Sequence, residues 1–354
     1  MELKKYKSSD MTDVKSIAVI MFGLLGDVFI RTPLLKALKE IYPKAIITAI
    51  VDPIGEKVLK NNTYCDNIIV VNRNKKNRIA YYASKLNAIL DVRKRKLDLI
   101  VDFYGGGSSY FLVLVSGAKY KLGHFNSSKK NIYNIDVSDI KRINYLTTYY
   151  KDLMLVLSAL TSKEFSTKPI FNIPKKVNDK GIAFLNSCPH DIDRVYLLNF
   201  GSGGVEKMLE PKKYFLLVQY IYEKHGYIPL IISNPGQEYL QKEFIQKFMK
   251  HSTIPFIKLD TLSLDEMGAL IKNTSFLITP DTGLMHLAMA LDRYIYAIFT
   301  YTNPILVNPK TDNFIAVYEE FDRETLFKNQ NLDEMRLYEM FEVLYTKIKT
   351  KTFH

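Results

Sequence analysis

The sequence predicts an α/β protein of two doubly wound, Rossmann-like domains facing a central cleft. Three observations predict it. Continuous apolar runs alternate with amphipathic stretches from the start of the chain, pause near residue 161 and then restart. Apolar strands separated by helices are what a parallel sheet covered on both faces requires. The chain has 354 residues, enough for two domains that each bury a core. Finally, glycine- and aspartate-bearing turns follow an apolar strand in each half, at Phe22-Gly23-Leu24-Leu25-Gly26-Asp27 and at Pro280-Asp281-Thr282-Gly283. Open α/β sheets bind ligands beyond the carboxyl ends of their strands, where helix N-termini attract anions.

In the first half, 16–22 reads as a buried strand and 28–41 as an amphipathic helix. Next come a strand at 45–51, a short helix at 53–60, a strand at 67–71 and a long basic helix at 78–94. A strand at 97–103 runs into Gly105-Gly106-Gly107, and a helix at 145–160 closes the half. Residues 161–174 hold Ser, Thr, Lys and two prolines and read as the linker. The pattern restarts with a helix at 180–186 and a strand at 194–200 ending in Gly201-Ser202-Gly203-Gly204. A helix at 211–224 has proline in its first turn, a favoured place for it. A strand at 227–232 and a helix at 237–250 follow, and Ser263-Leu264-Asp265-Glu266 is a capping box opening a helix to 271. Strands at 275–279 and 295–300 complete the series. The expected domains are 1–168 and 169–322, with a helical tail, 323–354, packing back on the first domain and ending in Lys347, Lys349 and Lys351.

Composition narrows the partners. The net charge of +12 favours anionic ones: nucleotides, nucleic acid or acidic lipid headgroups. No recognised nucleic-acid module is present, so nucleic acid is not expected. Cys65 and Cys188 are the only cysteines, which excludes a disulfide framework and fits a reducing cytoplasm. The apolar segment at 17–30 is too short and too broken by Gly23, Gly26 and Asp27 for a membrane span or a signal peptide. The chain is expected in the cytoplasm, with peripheral membrane contact through its basic tail.

Asp27 follows Gly23 and Gly26 at a strand-to-helix turn, where glycines let a ligand approach the backbone. Its carboxylate reads either as a general base or as a helix cap. Asp281, Thr282, Gly283 and His286 form the second turn. There Thr282 and the amides after it suit a diphosphate, and Asp281 suits sugar hydroxyls. The other reading makes Asp281 a cap and His286 a core histidine. Ser202, Gly203 and Lys207 follow another strand, with Lys207 a point charge for phosphate. Glu238 starts a helix and reads as a ribose ligand or as a first-turn glutamate. The basic run Arg73, Lys75, Lys76 and Arg78, together with Arg93 to Lys96, Lys119, Lys121, Lys129 and Lys130, either gathers an anionic acceptor or is a solvated face. The six histidines are scattered and no Asp-x-Asp occurs, so catalysis without a metal is expected.

Longer runs carry a resemblance. Phe22-Gly-Leu-Leu-Gly-Asp-Val-Phe-Ile-Arg-Thr-Pro-Leu-Leu-Lys-Ala-Leu resembles the opening of glycosyltransferase family nine, the lipopolysaccharide heptosyltransferases. Pro280-Asp-Thr-Gly-Leu-Met-His-Leu-Ala-Met-Ala-Leu resembles their C-terminal signature. Between them, Val115-Ser-Gly-Ala-Lys-Tyr-Lys-Leu-Gly and Leu197-Leu-Asn-Phe-Gly-Ser-Gly followed by Lys207 fit in the right order. The resemblance implies a GT-B fold, an acceptor site in the first half and a nucleotide sugar in the second. It also implies inverting, metal-independent transfer of heptose from ADP-heptose to the lipopolysaccharide inner core, an anionic glycolipid at the cytoplasmic face of the inner membrane, with no cofactor. By motif position Asp27 would be the base, with Gly26 and the basic run at the acceptor. Ser202, Gly203, Lys207, Thr282 and Gly283 would hold the diphosphate, Asp281 the sugar, Glu238 the ribose, and His286 would line the donor site. The chain departs from the family in having Lys207-Met-Leu-Glu-Pro211 where Trp-Pro is common, Gly-Ser-Gly-Gly in the diphosphate loop, and no tryptophan. Another nucleotide sugar on the same fold, or a noncatalytic nucleotide-sugar or anionic-glycan binder, remain alternatives.

Overall fold

The computed structural model describes residues 6–123, 130–135, 137, 149–309, 311–319 and 332–352. Lys129, the side chains of Lys130 and Lys351, the expected helix start at 145–148, the expected boundary at 322 and the tail's 323–331 lie outside the described residues. The chain divides into two compact units, Met1–Asn172 and Ile173–His354.

The first unit contains β1 (Ser16–Ile20), α1 (Leu25–Ile41), β2 (Ile46–Val51), α2 (Pro53–Leu59), β3 (Asn67–Val70), α3 (Arg78–Lys94), β4 (Leu99–Asp102), α4 (Gly107–Val115), β5 (Tyr120–Gly123) and α5 (Tyr149–Leu157). Its described strands form one parallel sheet in the order β3-β2-β1-β4-β5. Ile17 on β1 sits in register with Ile47 and Leu99, and all three are fully buried. Strand burial on both faces explains the unbroken apolar runs. In α1, Pro33 cannot supply the N–H that the Phe29 carbonyl would receive from it. The Thr32 hydroxyl donates to that carbonyl at 2.8 Å, and the helix continues to Ile41. Thr32 Oγ1 also accepts the Ile170 N–H at 2.8 Å, tying most of the expected linker to this unit.

The second unit contains α6 (Lys175–Ser187), β6 (Val195–Leu198), α7 (Pro211–His225), β7 (Ile228–Ile231), α8 (Glu238–Lys247), β8 (Ile257–Lys258), α9 (Leu264–Asn273), β9 (Phe276–Pro280), α10 (Gly283–Ala290), β10 (Tyr294–Ile298), β11 (Phe314–Val317) and α11 (Glu334–Thr352). Its sheet is also parallel, in the order β11-β10-β9-β6-β7-β8. The capping box forms: Ser263 Oγ accepts the Glu266 N–H, and Glu266 Oε2 accepts the Ser263 N–H at 2.9 Å. α11 packs against α7, β10 and β11 of its own unit, burying Leu337, Phe341 and Leu344. The Tyr296 and Tyr294 hydroxyls donate to the Leu337 and Lys347 carbonyls. The apolar stripe of this helix completes the core of the second unit.

Candidate active site

Each sheet reverses its strand order at its first strand. In the first unit the reversal lies between β1 and β4, and in the second between β6 and β9. A crevice opens outside the carboxyl ends of strands at such a point, and ligands of doubly wound proteins bind there. The sequence places its Gly-Asp turns after β1 and β9, one at each reversal.

In the first unit, Phe22 and Gly23 leave β1, and Gly23 takes φ +140°, a conformation that favours glycine. The Gly23 N–H donates to Asp52 Oδ2 at 2.8 Å. Asp52 is held in turn by a forked pair from Arg73, with Nε to Oδ1 at 2.6 Å and Nη2 to Oδ2 at 2.7 Å. Arg73 Nη1 donates to the Tyr104 hydroxyl, and its guanidinium carbon lies 4.5 Å and 4.7 Å from the Phe22 and Tyr104 ring centres. The bond to Asp52 raises the Arg73 pKa above its ordinary value, so its charge is permanent. Arg73 thus braces the turn from within, while Lys75, Lys76 and Arg78 are exposed beyond it.

Gly26 and Asp27 lie in the first turn of α1. Asp27 is exposed, and its Oδ2 accepts the Leu24 N–H at 2.8 Å, so it satisfies an orphan donor of the helix start while remaining open to a ligand. One turn further on, Arg31 Nη1 donates to the Phe22 carbonyl at 2.6 Å, and its buried Nε finds no partner among the described residues. Burial pushes the Arg31 pKa down, against the opposing pull of Asp27 and Asp102. Asp102, fully buried at the end of β4, accepts the Tyr104 and Gly105 N–H groups and the Tyr133 hydroxyl.

The second unit brings more of the expected residues together. Lys207 Nζ lies 2.7 Å from Asp281 Oδ2, and the Thr302 hydroxyl donates to the same oxygen at 2.6 Å. Thr282 precedes the first residue of α10, Gly283, and its hydroxyl lies 3.2 Å from that of Thr279. Asn199, buried where β6 ends, donates to Thr279 Oγ1 at 3.0 Å and joins the two loops. Ser202 is 2% exposed, and its hydroxyl has no partner among the described residues. Buried polar atoms are rarely left so, unless water or a ligand completes them. Gly203 is exposed. A Cβ at Gly201 would press on the side-chain amides of Gln237 and Asn234, which would have to shift. Gln237 donates to the Ser202 carbonyl, which sets Glu238, the first residue of α8, beside this loop. Glu238 accepts the Gly236 N–H and the Thr261 hydroxyl, and its own N–H together with these donors holds its pKa below the ordinary range. It is therefore a first-turn glutamate that keeps its charge. His286 is buried in α10.

Ser202, Lys207, Asp281, Thr282 and Gly283 accordingly converge on one switch point, with Glu238 linked to it through Gln237. Asn199, Thr302, Gln237 and Arg31 join the sites without having been singled out in the sequence. Asn199 had a signal, as the first polar residue after the apolar run of β6. Among the described residues, no three His, Cys, Asp or Glu side chains gather to hold a metal ion.

The paired sheets match those of GT-B glycosyltransferases. Over 98% of this chain and 99% of the other, the fold superposes on a family 9 glycosyltransferase from Veillonella parvula with a TM-score of 0.78 at 21% identity. An E. coli ADP-heptose lipopolysaccharide heptosyltransferase II matches with a TM-score of 0.73 at 16% identity, covering 94% of this chain and 99% of that one. The protein belongs to glycosyltransferase family 9 (heptosyltransferase), whose family model matches residues 89–336. Lipopolysaccharide heptosyltransferase 1 of Campylobacter coli is 22% identical over 296 residues, 81% of this chain and 84% of that protein.

Proposed function

We propose that the protein moves a heptose from ADP-heptose onto the inner core of lipopolysaccharide or lipooligosaccharide, inverting the anomeric centre. The observation that carries the reading is the second unit's cradle: a lysine, two hydroxyls and a helix start gathered at the β6/β9 reversal. The ADP-heptose in the name of the E. coli structure, and the lipopolysaccharide in the names of both it and the C. coli relative, support the donor and acceptor.

In this reaction Asp27 takes the proton of an acceptor hydroxyl, and that oxygen attacks the anomeric carbon opposite the diphosphate. The bond from the sugar to the diphosphate breaks as the new glycosidic bond forms, and negative charge gathers on ADP. Lys207, Thr282 and the free N–H groups at the start of α10 stabilise that charge, which is commonly the largest catalytic contribution. Without donor, Asp281 neutralises Lys207. With donor, Lys207 turns to the diphosphate while Asp281, still held by Thr302, receives sugar hydroxyls. Ser202 and Gly203 close on the phosphates, Glu238 receives the ribose hydroxyls, and His286 forms the floor beneath them. Gly26 leaves room for the acceptor, and Lys75, Lys76 and Arg78 attract its anionic groups; Arg73 acts there by holding the Gly23 turn.

A calorimetric screen of ADP, UDP, GDP and CDP sugars tests the donor. ADP-heptose should bind tightest and yield ADP with a glycosylated acceptor. A UDP, GDP or CDP sugar that binds more tightly and is transferred would replace heptose as the assignment.

A further inference from the structure

The outer face of α3 is apolar where a solvated helix carries polar groups. Ile79, Tyr82, Leu86 and Leu90 follow one another at helical spacing and so share one side of α3. They are between 56% and 84% exposed, while Ala88 and Val92 on the opposite side are buried in the unit. On the adjoining α4, Phe111 and Leu114 are 49% and 55% exposed. A shallow hollow beside these helices is lined by Ile89, Phe111 and Leu112, with Lys85 at its edge. Soluble monomers rarely leave so continuous an apolar surface unless something covers it.

The charge around the stripe says what covers it. Residues 75–96 contain eight lysines and arginines and a single acidic residue, Asp91. Arg93 and Lys94 stand in the last turn of α3, and Lys75 and Lys76 precede its start. An apolar stripe edged at both ends by cations fits a surface whose interior is hydrocarbon and whose rim is phosphate. A second protein would have to supply an equally acidic border.

We propose that the α3–α4 face docks on an anionic lipid bilayer, with the stripe in the headgroup–acyl boundary and the flanking cations on lipid phosphates. This differs from membrane contact through the C-terminal tail, because α11 spends its apolar side on the core of the second unit. The proposal does not depend on sugar transfer, so a failed transfer assay leaves it standing.

The chain has no tryptophan, so Leu86→Trp places a single indole on the stripe, and Val343→Trp places one on α11 as a control. Each full-length variant is mixed with phosphatidylcholine vesicles with and without about one quarter phosphatidylglycerol, at low salt and at about 0.5 M salt. The expected result is a blue shift of the Leu86→Trp emission on anionic vesicles only, weakened by salt, with no shift for Val343→Trp. The double variant Leu86→Glu/Leu90→Glu should keep its thermal melt and lose at least about tenfold in vesicle cosedimentation. Four results would overturn the proposal: no binding to anionic vesicles, undiminished binding by the double variant, a shift at Val343→Trp alone, or a dimer that the double variant abolishes in the absence of any vesicle binding.

Discussion

The Asp27 carboxylate accepts the Leu24 N–H at 2.8 Å, and Gly23 is what lets it lie there. A Cβ on Gly23 would stand 2.6 Å from Asp27 Oδ2, at a φ of +140° that side chains rarely adopt. Gly23→Ala should therefore displace Asp27 and cost roughly 1–3 kcal/mol of stability, read by urea unfolding. Unchanged stability would mean that the turn tolerates another conformation. The motif residues of both sites were legible because turn chemistry is local: glycine, aspartate and threonine after an apolar strand announce themselves within a few positions. Their partners were not. Asp52 and Arg73 brace Gly23 from 29 residues away and further along the chain, and Thr302 reaches Asp281 across 21 positions. No local pattern encodes such pairs; the order of strands in the sheet does.

At the scale of elements, α11 shows how a helix is fixed to its unit. Phe341 is fully buried and packs on Phe276 and Tyr296, while Glu342 sits at the edge, accepting hydrogen bonds from Tyr220 and Lys224 and lying 2.7 Å from His225 Nε2. Burial alone would raise the Glu342 pKa, but the bonds from Tyr220, His225 and Lys224 outweigh it and hold the value below the ordinary 4.5. A carboxylate whose pKa falls on folding contributes its full stability above the unfolded value and loses it as pH drops through the folded one. Glu342→Gln should thus cost about 1 kcal/mol near pH 7, discounted for partial exposure, with the difference closing as the pH falls below the ordinary carboxylate range. Thermal melts of both proteins across that range check it, and a difference that persists at low pH would assign the effect to packing. Most other strands and helices were readable from period and apolar runs, but β11 was not expected and β5 showed only through the family resemblance. α4 was not, because Gly107-Ser-Ser-Tyr-Phe-Leu-Val-Leu-Val lacks the polar positions that reveal helical period. β8, at two residues, is too short to show a pattern. The tail read as helix correctly in kind, but nothing in an amphipathic stripe says which core it completes.

At the scale of the molecule, the two units repeat one plan. Each reverses strand order at its first strand, and each sets charged or hydroxyl-bearing turns at that reversal. Under the proposed function this plan would separate the work, with Asp27 of the first unit acting on the acceptor and Lys207 of the second holding the donor. Substitutions in different units should therefore fail in different ways. The most direct test is a parallel reading of ADP affinity by calorimetry and of single-turnover transfer, for the unaltered chain, Asp27→Asn and Lys207→Ala. Asn keeps an oxygen for the Leu24 N–H, so Asp27→Asn removes the base and spares the helix start. It should bind ADP within about twofold of the unaltered chain and lose roughly 100- to 10,000-fold in transfer rate. Lys207→Ala should weaken ADP binding roughly tenfold to a hundredfold. Transfer by Asp27→Asn at the unaltered rate would contradict the account.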